Sequence, residues 1–202
     1  MKVAAVILAA GRSSRFEDGH KLLAEIDGIP IIRHVCAAVA ASGVDDIVLV
    51  TNEPDGAVAR AAGAGRWRIA DNPNASHGLS TSLRAGIENC PSDADGILVA
   101  LADMPGITAA FIDELLTVFK SAPGGIVFPQ SADGVNGHPI IWPATLRADL
   151  ETVTGDTGGK SVLAAHKHLW RPVRCTDAGP FADIDTRGDL AAFIEPTGSG
   201  MD

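Results

Sequence analysis

The residues of this chain that could do chemistry lie in three segments that are far apart in the sequence. The first runs from Leu8 to Lys21 and combines small residues with cations. The other two are Asp103, which follows an apolar run, and the acidic pair Asp183 and Asp185. Small residues leave backbone N–H groups open to phosphate oxygens, cations bind phosphate, and carboxylates suit Mg²⁺ beside it. These residue types indicate phosphate chemistry assisted by a divalent cation.

The loop of the first segment allows a ligand to approach the backbone closely, because Ala9, Ala10 and Gly11 are small. Arg15 can bind a phosphate through two N–H groups at once, whereas Lys21 adds a point charge. A Gly-rich turn with exposed cations would fit the same residues. A dinucleotide-binding site is not supported, because the GxGxxG pattern is absent.

Asp103 is expected at the same sheet edge as the first loop, because an apolar strand ends just before it. A carboxylate beside a phosphate site suits Mg²⁺, which binds one or two carboxylates together with substrate phosphates. The alternative for Asp103 is a helix N-cap or a loop position before Pro105.

The acidic pair Asp183 and Asp185 flanks Ile184. Alternation along a short strand would place both carboxylates on one face and turn Ile184 inward. A helix is predicted directly after this segment, so Asp185 or Thr186 could instead cap that helix.

The elements that must position these residues alternate between apolar, β-branched runs and helical patterns. Strands are predicted at Val3–Leu8, Asp46–Thr51, Trp67–Ala70, Gly96–Leu101, Gly125–Pro129, Gly137–Trp142 and Arg171–Cys175. Helices are predicted at Pro30–Ser42, Asp55–Ala62, Ser80–Glu88, Thr108–Ser121, Lys160–His166 and Thr186–Phe193. This order predicts an α/β domain with a largely parallel sheet. We expect one domain over residues 1–194 and a frayed, Pro/Gly/Ser-rich tail over 195–202.

The composition argues against several classes of function. The 202-residue chain has a net charge of −9 and no run of Lys or Arg, so nucleic-acid binding is not expected. No apolar stretch reaches the roughly 18 residues of a membrane span. The apolar run Val3–Ala10 superficially resembles a signal peptide, but it is short and indicates a buried strand. Cys36, Cys90 and Cys175 are widely separated, which favours a reducing cytoplasm over disulfides or a zinc site.

The segment LAAGRSSRF, followed by Lys21, resembles the nucleotide-binding loop of the molybdenum cofactor nucleotidylyltransferases. The resemblance implies a Rossmann-like, three-layer α/β domain with a mostly parallel mixed sheet, of the nucleotide-diphospho-sugar transferase type. It also implies that Arg15 and Lys21 act on the triphosphate. The double alanine is typical of the cytidylyltransferase branch, whereas the guanylyltransferase branch has LAGG. The residues implied to hold the nucleotide in this loop are Leu8, Ala9, Ala10, Gly11 and Arg12.

The segments LADMP, which contains Asp103, and DIDT, which contains Asp185, resemble the metal-binding motifs of the same family. The resemblance implies that Asp103 and Asp185 hold Mg²⁺, with Asp183 as the substitute for Asp185. It assigns catalysis to Arg15, Lys21 and Asp103. Where the family has Pro after DIDT this chain has Arg187, a departure that concerns the helix start.

Two further segments resemble substrate-binding elements of the family. The stretch GLSTSLR resembles the element that contributes to base selection in the cytidylyltransferases, and GDTGGK resembles the GDxGAR element of the acceptor half. Lys160 keeps the positive charge of the family's Arg but loses its two-pronged geometry. His138, in the same half, is expected either to contact the acceptor or to pack in a turn. The matching base-selection positions are Gly78, Leu79, Ser80, Thr81, Ser82, Leu83 and Arg84. Ser80 or Thr81 could also cap the helix predicted at Ser80–Glu88.

The reaction implied by the resemblance joins CTP to molybdopterin-bound molybdenum and releases pyrophosphate. The product would be molybdopterin cytosine dinucleotide, and a molybdoenzyme or its chaperone is a possible partner. The alternatives are the same chemistry with GTP, another phosphorylated acceptor such as a sugar phosphate, and a non-catalytic chaperone that delivers the cofactor.

Overall fold

The apolar runs of the sequence form a seven-stranded sheet that is covered on both faces. In its first strand, β1 (Val3–Leu8), all six residues are buried. Because side chains alternate between the two faces of a strand, Ala5 and Ile7 pack on one side and Val6 and Leu8 on the other. The predicted buried strand at the start of the chain is therefore confirmed.

A computed structural model describes residues 1–11, 13, 15–16 and 19–195 of the chain. Arg12, which is predicted to contact a nucleotide, lies outside the described residues. The same holds for residues 196–202, which make up nearly all of the predicted tail.

The elements follow one another in the predicted alternating order. The strands after β1 are β2 (Glu25–Ile26), β3 (Ile29–Pro30), β4 (Asp46–Thr51), β5 (Arg68–Asp71), β6 (Gly96–Leu101), β7 (Ile126–Gln130), β8 (Ile140–Pro143) and β9 (Trp170–Arg174). The helices are α1 (Ile31–Ala41), α2 (Ala57–Ala62), α3 (Leu79–Glu88), α4 (Ala109–Ser121), α5 (Arg147–Glu151), α6 (Lys160–Ala165) and α7 (Arg187–Ile194).

The strands of the large sheet lie in the order β5-β4-β1-β6-β8-β7-β9. The pairs from β5 to β6 are parallel, and so is the pair of β7 with β9. Strand β8 runs antiparallel to both of its neighbours, β6 and β7. The sheet is thus mixed and mostly parallel, as predicted.

Helices cover both faces and complete three layers. On one face, α1, α2 and α4 contribute buried residues such as Val35, Val58 and Leu115. On the other face, α3 and α5 contribute residues such as Leu83 and Leu150. The predicted α/β class is confirmed, and the two apolar layers hold the strand ends in fixed positions.

Most predicted elements are found within a few residues of their expected bounds. Among the strands and α-helices of the described residues, the hairpin of β2 and β3 and helix α5 were not predicted. Each hairpin strand has two residues, and α5 has five, so no hydrophobic period can develop over their length. The turn between β2 and β3 uses positive φ angles at Asp27 and Gly28.

The three cysteines are free thiols. Burial raises the pKa of the Cys36 thiol to about 12 and that of Cys90 to about 11, so both stay protonated at neutral pH. None of the helices in the described ranges has the length and apolar character required to cross a membrane.

Gly86 is required where α3 packs on the sheet. A Cβ atom at this position would lie 2.2 Å from Cγ1 of Val6 on β1. We expect Gly86→Ala to lower the free energy of unfolding by about 1–3 kcal/mol, because overpacking outweighs the gain in helix propensity. Chemical denaturation measures this change. Gly188→Ala in α7 is the matched control, since its Cβ meets only Thr186 Oγ1 at 3.5 Å; equal unfolding free energies for the two variants would contradict the prediction.

Candidate active site

Parallel pairing of β1 with β6 brings the first loop next to Asp103. Leu8 and Leu101 are opposite each other at the ends of these strands. One residue later, the Ala102 N–H still donates to the Leu8 carbonyl at 3.2 Å. Asp103 therefore emerges beside the loop that starts at Ala9, on the sheet edge where open α/β sheets bind ligands.

His20 fixes the position of Lys21 relative to this loop. Its Nδ1 accepts a hydrogen bond from the Leu22 N–H at 3.3 Å, and its Nε2 donates to the Gly11 carbonyl at 3.1 Å. This pattern is that of a neutral imidazole. Burial lowers the pKa of His20, which favours the same neutral form. Lys21 then begins the short 3₁₀ helix Lys21–Leu23.

Lys21 joins the two predicted metal-binding carboxylates in what we call the ammonium–carboxylate cluster (Lys21, Asp103 and Asp185). Lys21 Nζ lies 2.5 Å from Asp103 Oδ2 and 2.7 Å from Asp185 Oδ1. The Lys21 side chain is only 13% exposed. Burial disfavours its charged form, but the attraction of the two carboxylates outweighs this effect and raises the pKa of Lys21. Residues separated by 164 positions thus meet at one nitrogen.

Arg15 forms an ion pair with the same Asp185, through Nη1 and Oδ2. Its side chain is 75% exposed, so it can turn toward a ligand at little cost. The cluster and Arg15 together place two cations and two carboxylates at the mouth of the first loop.

The two carboxylate oxygens of Asp103 differ in their contacts, since only Oδ2 meets Lys21. Its Oδ1 is buried and has no hydrogen-bond partner within the described part of the chain. A buried acceptor without a partner is costly, so this oxygen is suited to a cation that arrives with a ligand. Among the described residues, no group of three or more His, Cys, Asp and Glu side chains converges. Two carboxylates match Mg²⁺, which completes its shell with phosphates and water.

The segment around Asp185 does not form the predicted short strand. Residues 182–186 pair with no strand of the sheet. The Ile184 N–H donates instead to the Asp103 carbonyl at 2.9 Å, and the Ile184 side chain is 1% exposed. This anchor holds Asp185 next to Asp103. Inward packing of Ile184 was predicted correctly, but a loop contact replaces the strand. Asp183 borders the smaller of two cavities described below.

Thr186, and not Asp185, caps the last helix. The Thr186 side chain accepts from the Asp189 N–H, and the Asp189 carboxylate accepts from the Thr186 N–H at 2.8 Å. This reciprocal pair is a capping box. Of the two caps that the sequence allowed, the structure has Thr186, and the Asp185 carboxylate belongs to the cluster instead.

The N-terminus of α3 forms the wall opposite the cations. The predicted caps Ser80 and Thr81 are wrong, because Gly78 occupies the N-cap position with a φ of 111°. The Leu79 N–H, at the first position of the helix, donates to Asp156 Oδ1 at 3.2 Å, although the two residues are 77 positions apart in the sequence. A carboxylate from the GDTGGK segment therefore does what a local cap would do, and this contact was not visible in the sequence.

Asn72 is a buried residue that contacts α3 next to the larger cavity, and it was not predicted to take part in the site. It follows β5, is 3% exposed, and donates through Nδ2 to Thr81 Oγ1 and Ser82 Oγ, both at 2.9 Å. Its Oδ1 accepts from the Asn74 N–H at 3.1 Å. The only available signal was an Asn before a Pro at a strand end, which equally fits a turn.

Arg84, which matches the last position of GLSTSLR, forms two hydrogen bonds to the backbone of another segment. Its Nε donates to the Glu151 carbonyl at 3.0 Å and its Nη2 to the Val153 carbonyl at 3.5 Å. The residue thus ties α3 to the segment that leads to Asp156.

Two cavities lie side by side at this edge of the sheet. The larger measures about 530 Å³ and the smaller about 330 Å³, and both touch Leu8, Leu79, Leu101 and Asp156. Predicted residues that do not line the larger cavity include Ala9, whose N–H is bound to the Val50 carbonyl. Ser80 and Thr81 do not line it either. The predicted residues that do are Leu8, Ala10, Gly11, Arg15, Lys21, Gly78, Leu79, Ser82 and Asp103.

The smaller cavity combines apolar walls with a few polar groups. Leu83, Trp142 and other apolar residues line it, together with His138 and Lys160. Burial lowers the pKa of His138, which keeps its ring neutral. His138 Nδ1 is buried and unpartnered within the described ranges. The structure thus brings the two segments assigned to the acceptor half, around residues 138 and 160, to one cavity.

The mostly parallel sheet brings two cations and two carboxylates to one edge, where open α/β sheets bind ligands, as is expected of a nucleotidyltransferase. The chain belongs to the MobA-like NTP transferase domain family, which matches residues 5–169. The family resemblance of the sequence motifs is therefore confirmed.

Relatives of known sequence and structure cover nearly the whole chain. It is 30% identical to nicotine blue oxidoreductase of Paenarthrobacter nicotinovorans, over 91% of this chain and 92% of that protein. A nucleotidyl transferase from Methanothermobacter thermautotroptrophicus (Mth528) superposes with a TM-score of 0.80 at 25% identity, covering 95% of both chains. Rv0371c of Mycobacterium tuberculosis H37Rv gives a TM-score of 0.83 at 24% identity, over 96% of this chain and 97% of that one. A second structure of Rv0371c is a complex with manganese.

Proposed function

We propose that this protein is a CTP-dependent cytidylyltransferase of the cytoplasm. It transfers CMP to molybdopterin-bound molybdenum and releases pyrophosphate. The observation that carries the proposal is the ammonium–carboxylate cluster, in which Lys21, Asp103 and Asp185 meet at the mouth of the small-residue loop. Membership of the MobA-like NTP transferase family supports a nucleoside triphosphate as the donor.

Asp103 and Asp185 are the residues that would hold a divalent ion, and Asp103 Oδ1, which lacks a hydrogen-bond partner in the part of the chain described, supports this role. The ion, which we assign as Mg²⁺, would neutralise charge on the nucleotide phosphates. The manganese complex of Rv0371c is consistent with a divalent cation at this fold. An ion held by these carboxylates would compete with Lys21 for their oxygens, because Lys21 Nζ contacts both.

Lys21 and Arg15 then supply positive charge to the triphosphate. Both are held by Asp185 in the ligand-free chain, through ion pairs that phosphate oxygens can replace. The attacking group is a phosphate oxygen of the acceptor, which is already anionic, so no general base is required. Catalysis would rest on positioning the two phosphates in line and on neutralising the charge of the departing pyrophosphate.

The two adjoining cavities provide places for the two substrates. The larger cavity carries the cations and the loop, so we assign it to CTP. The smaller cavity has apolar walls around His138 and Lys160 and fits an acceptor with a ring system and a phosphate. The choice of CTP over GTP rests on the LAAG loop and the GLSTSLR segment. The choice of acceptor rests on the family.

Arg15→Ala is expected to lower turnover about 100-fold, because one positive charge near the departing pyrophosphate is lost. The fold should not change, since the Arg15 side chain is mostly exposed. Steady-state rates of pyrophosphate release measure the effect. Arg171→Ala on β9, another exposed arginine outside both cavities, is the control and should retain the parental rate. A parental rate for Arg15→Ala would remove Arg15 from the phosphate site.

The test of the proposed function is incubation of the protein with Mg²⁺, purified molybdenum cofactor and one nucleoside triphosphate at a time. Pyrophosphate is quantified and the dinucleotide is identified by mass spectrometry. We expect the cytosine dinucleotide with CTP, and no pyrophosphate when the acceptor is left out. The guanine dinucleotide would move the protein to the guanylyltransferase branch. Pyrophosphate release with a sugar phosphate in place of the molybdenum cofactor would identify a different acceptor. Tight cofactor binding without pyrophosphate release would identify a chaperone.

A redox reaction is the second candidate, because a 30% identical relative is named an oxidoreductase. That name is a statement about the relative only. The cations and carboxylates of this site favour phosphate chemistry, and the GxGxxG fingerprint of a dinucleotide site is absent. Consumption of NADH or NADPH with a reducible substrate, in the absence of any nucleotidyl transfer, would favour the redox function.

A further inference from the structure

Asn72 is a buried amide whose orientation is set by its surroundings. Its Oδ1 receives the Asn74 N–H at 3.1 Å, and a backbone N–H can only donate. The Nδ2 group must therefore face α3, where it donates to the hydroxyls of Thr81 and Ser82 at 2.9 Å each. Exchanging the two amide atoms would place donor against donor at Asn74, so only one orientation satisfies the network.

The Asn72 amide also makes an acceptor of each of the two hydroxyl oxygens that it contacts, which leaves their hydrogens to be donated elsewhere. A serine hydroxyl has one hydrogen and two lone pairs, and the Ser82 oxygen uses a lone pair to accept from Asn72. Its hydrogen remains, and no acceptor for it is found in the described part of the protein. Thr81 differs, because its hydroxyl donates back to the Gly78 carbonyl at 2.9 Å or the Asn74 carbonyl at 3.0 Å.

Ser82 lines the larger cavity, whereas Thr81 does not. Ser82 is among the residues around the 530 Å³ cavity, and Thr81 is absent from its wall. Ser82 is only 4% exposed, so it is largely shielded from bulk water. With one lone pair of its oxygen bound to Asn72, its hydroxyl hydrogen is available to a group that fills the cavity.

The charges of the cavity indicate which part of a nucleotide meets Ser82. Arg15, Lys21 and Asp103 form the end suited to phosphates and a metal ion. Ala75, Ser76, Gly78 and Ser82 contribute no charged side chain to the lining and suit an uncharged base. Asp156, whose carboxylate accepts from the Leu79 N–H, is the charged residue next to this group.

We propose that Asn72 is a specificity-determining positioning residue. It holds the Ser82 hydroxyl as a donor, and Ser82 donates to the ring nitrogen N3 of cytosine. In cytosine N3 is a bare acceptor, whereas in uracil the same atom carries a hydrogen and would meet a second donor. This inference rests on the proposed assignment of the larger cavity to CTP, and it explains how a site of this size tells CTP from UTP.

The decisive variant is Asn72→Asp, which keeps the shape of the side chain but replaces the donor by an acceptor. The Asn74 N–H keeps its partner, while the hydroxyls of Thr81 and Ser82 must turn and donate to the new carboxylate. Ser82 then presents a lone pair to the base, which suits uracil N3–H. The dissociation constants of CTP and UTP are measured by calorimetry with Mg²⁺.

We expect Asn72→Asp to raise the dissociation constant of CTP about 10- to 100-fold, the effect of one mismatched hydrogen bond. The dissociation constant of UTP should stay within threefold or fall. The preference for CTP over UTP therefore drops at least tenfold. A purely structural role for Asn72 would weaken both nucleotides together and leave their ratio unchanged.

Three further variants test whether Asn72 acts on the preference for CTP through Ser82. Ser82→Ala should lose most of the preference, and Asn72→Asp added to Ser82→Ala should change the CTP-to-UTP ratio by less than twofold. Asn89→Asp makes the same amide-to-carboxylate change at the other end of α3, where Asn89 donates to the Ala85 carbonyl. It should leave both dissociation constants unchanged. If the new carboxylate prevents folding, Asn72→Ala replaces it, and the freed hydroxyl should reduce the preference by a smaller factor.

An unchanged CTP-to-UTP ratio in folded Asn72→Asp, or in folded Ser82→Ala, would overturn the inference. So would an additional loss of preference when Asn72→Asp is placed on Ser82→Ala. The proposed function can be refuted independently of this inference. A parental protein that binds CTP and UTP with the expected preference, yet forms no dinucleotide from the molybdenum cofactor, would refute the acceptor and leave the role of Asn72 standing.

Discussion

Asp103→Ala is expected to lower turnover by at least about a thousandfold, the largest effect among the variants considered. The change removes one of the two carboxylates assigned to the metal ion, together with the buried oxygen for which the described residues offer no hydrogen-bond partner. It also frees Lys21 from one of its two anchors. Metal-assisted charge neutralisation and preorganised electrostatics each contribute several kcal/mol to reactions of this kind. Pyrophosphate release with CTP and molybdenum cofactor measures the loss.

The fold should survive this change. The contact that ties Asp103 to the Ile184 segment is made by its backbone carbonyl, at 2.9 Å, and does not depend on the side chain. Thermal unfolding without ligands is therefore expected near the parental midpoint. The stabilisation that CTP and a divalent metal confer on the parent should be absent. Asp133→Ala, on an exposed loop, is the control, and retained turnover in Asp103→Ala would refute the metal assignment.

Lys21→Met is expected to lower turnover about 100- to 1000-fold, because the methionine keeps the apolar stem and removes the ammonium group. A second effect, a loss of folding stability, is expected even without substrate. The carboxylates of Asp103 and Asp185 would then face each other without their shared cation, which costs about 1–3 kcal/mol of stability. A divalent metal should restore much of this loss, so its stabilising effect should be larger in the variant than in the parent.

The pH dependence of this stability difference follows from the pKa of Lys21, which is raised above its ordinary value of 10.5. A raised pKa means that folding favours the charged form, so the contribution is complete at neutral pH. It is lost as the pH rises above 10.5 and through the folded-state value. Thermal unfolding across this range, with Lys120→Met as the exposed control, checks the prediction. A variant as stable and as active as the parent would show that the ion pairs of Lys21 contribute nothing.

The position of Lys21 links these two predictions. One ammonium nitrogen contacts Asp103 and Asp185 together. Two partly buried carboxylates without a cation would repel each other. Lys21 thus holds the two carboxylates of the proposed metal site together.

The local features of the fold could be read from residue patterns. The strand bounds at Val3–Leu8, Asp46–Thr51 and Gly96–Leu101 were predicted without error, because runs of apolar residues end abruptly at polar or small ones. The loop of Ala10 and Gly11 was predicted at the end of the first strand for the same reason. The hairpin of β2 and β3 escaped prediction because its strands are too short to show a period.

The candidate site was predictable as a set of residue types but not as a set of contacts. Arg15, Lys21 and Asp103 were singled out by their chemistry and by their resemblance to family motifs. Asn72 was missed, since nothing in its local sequence shows that its amide is buried against α3. Capping of α3 was assigned to Ser80 or Thr81, whereas Asp156 supplies the acceptor from 77 residues away.

Residue order was sufficient to predict an alternating α/β chain with cations and carboxylates after its strands, because hydrophobic period and turn chemistry act over a few neighbouring residues. Tertiary packing decided which of those groups meet. The parallel pairing of β1 with β6, and the hydrogen bond from Ile184 to Asp103, bring Asp185 to Lys21. Contacts of this kind depend on burial summed over both faces of the sheet, and no short stretch of sequence carries that information.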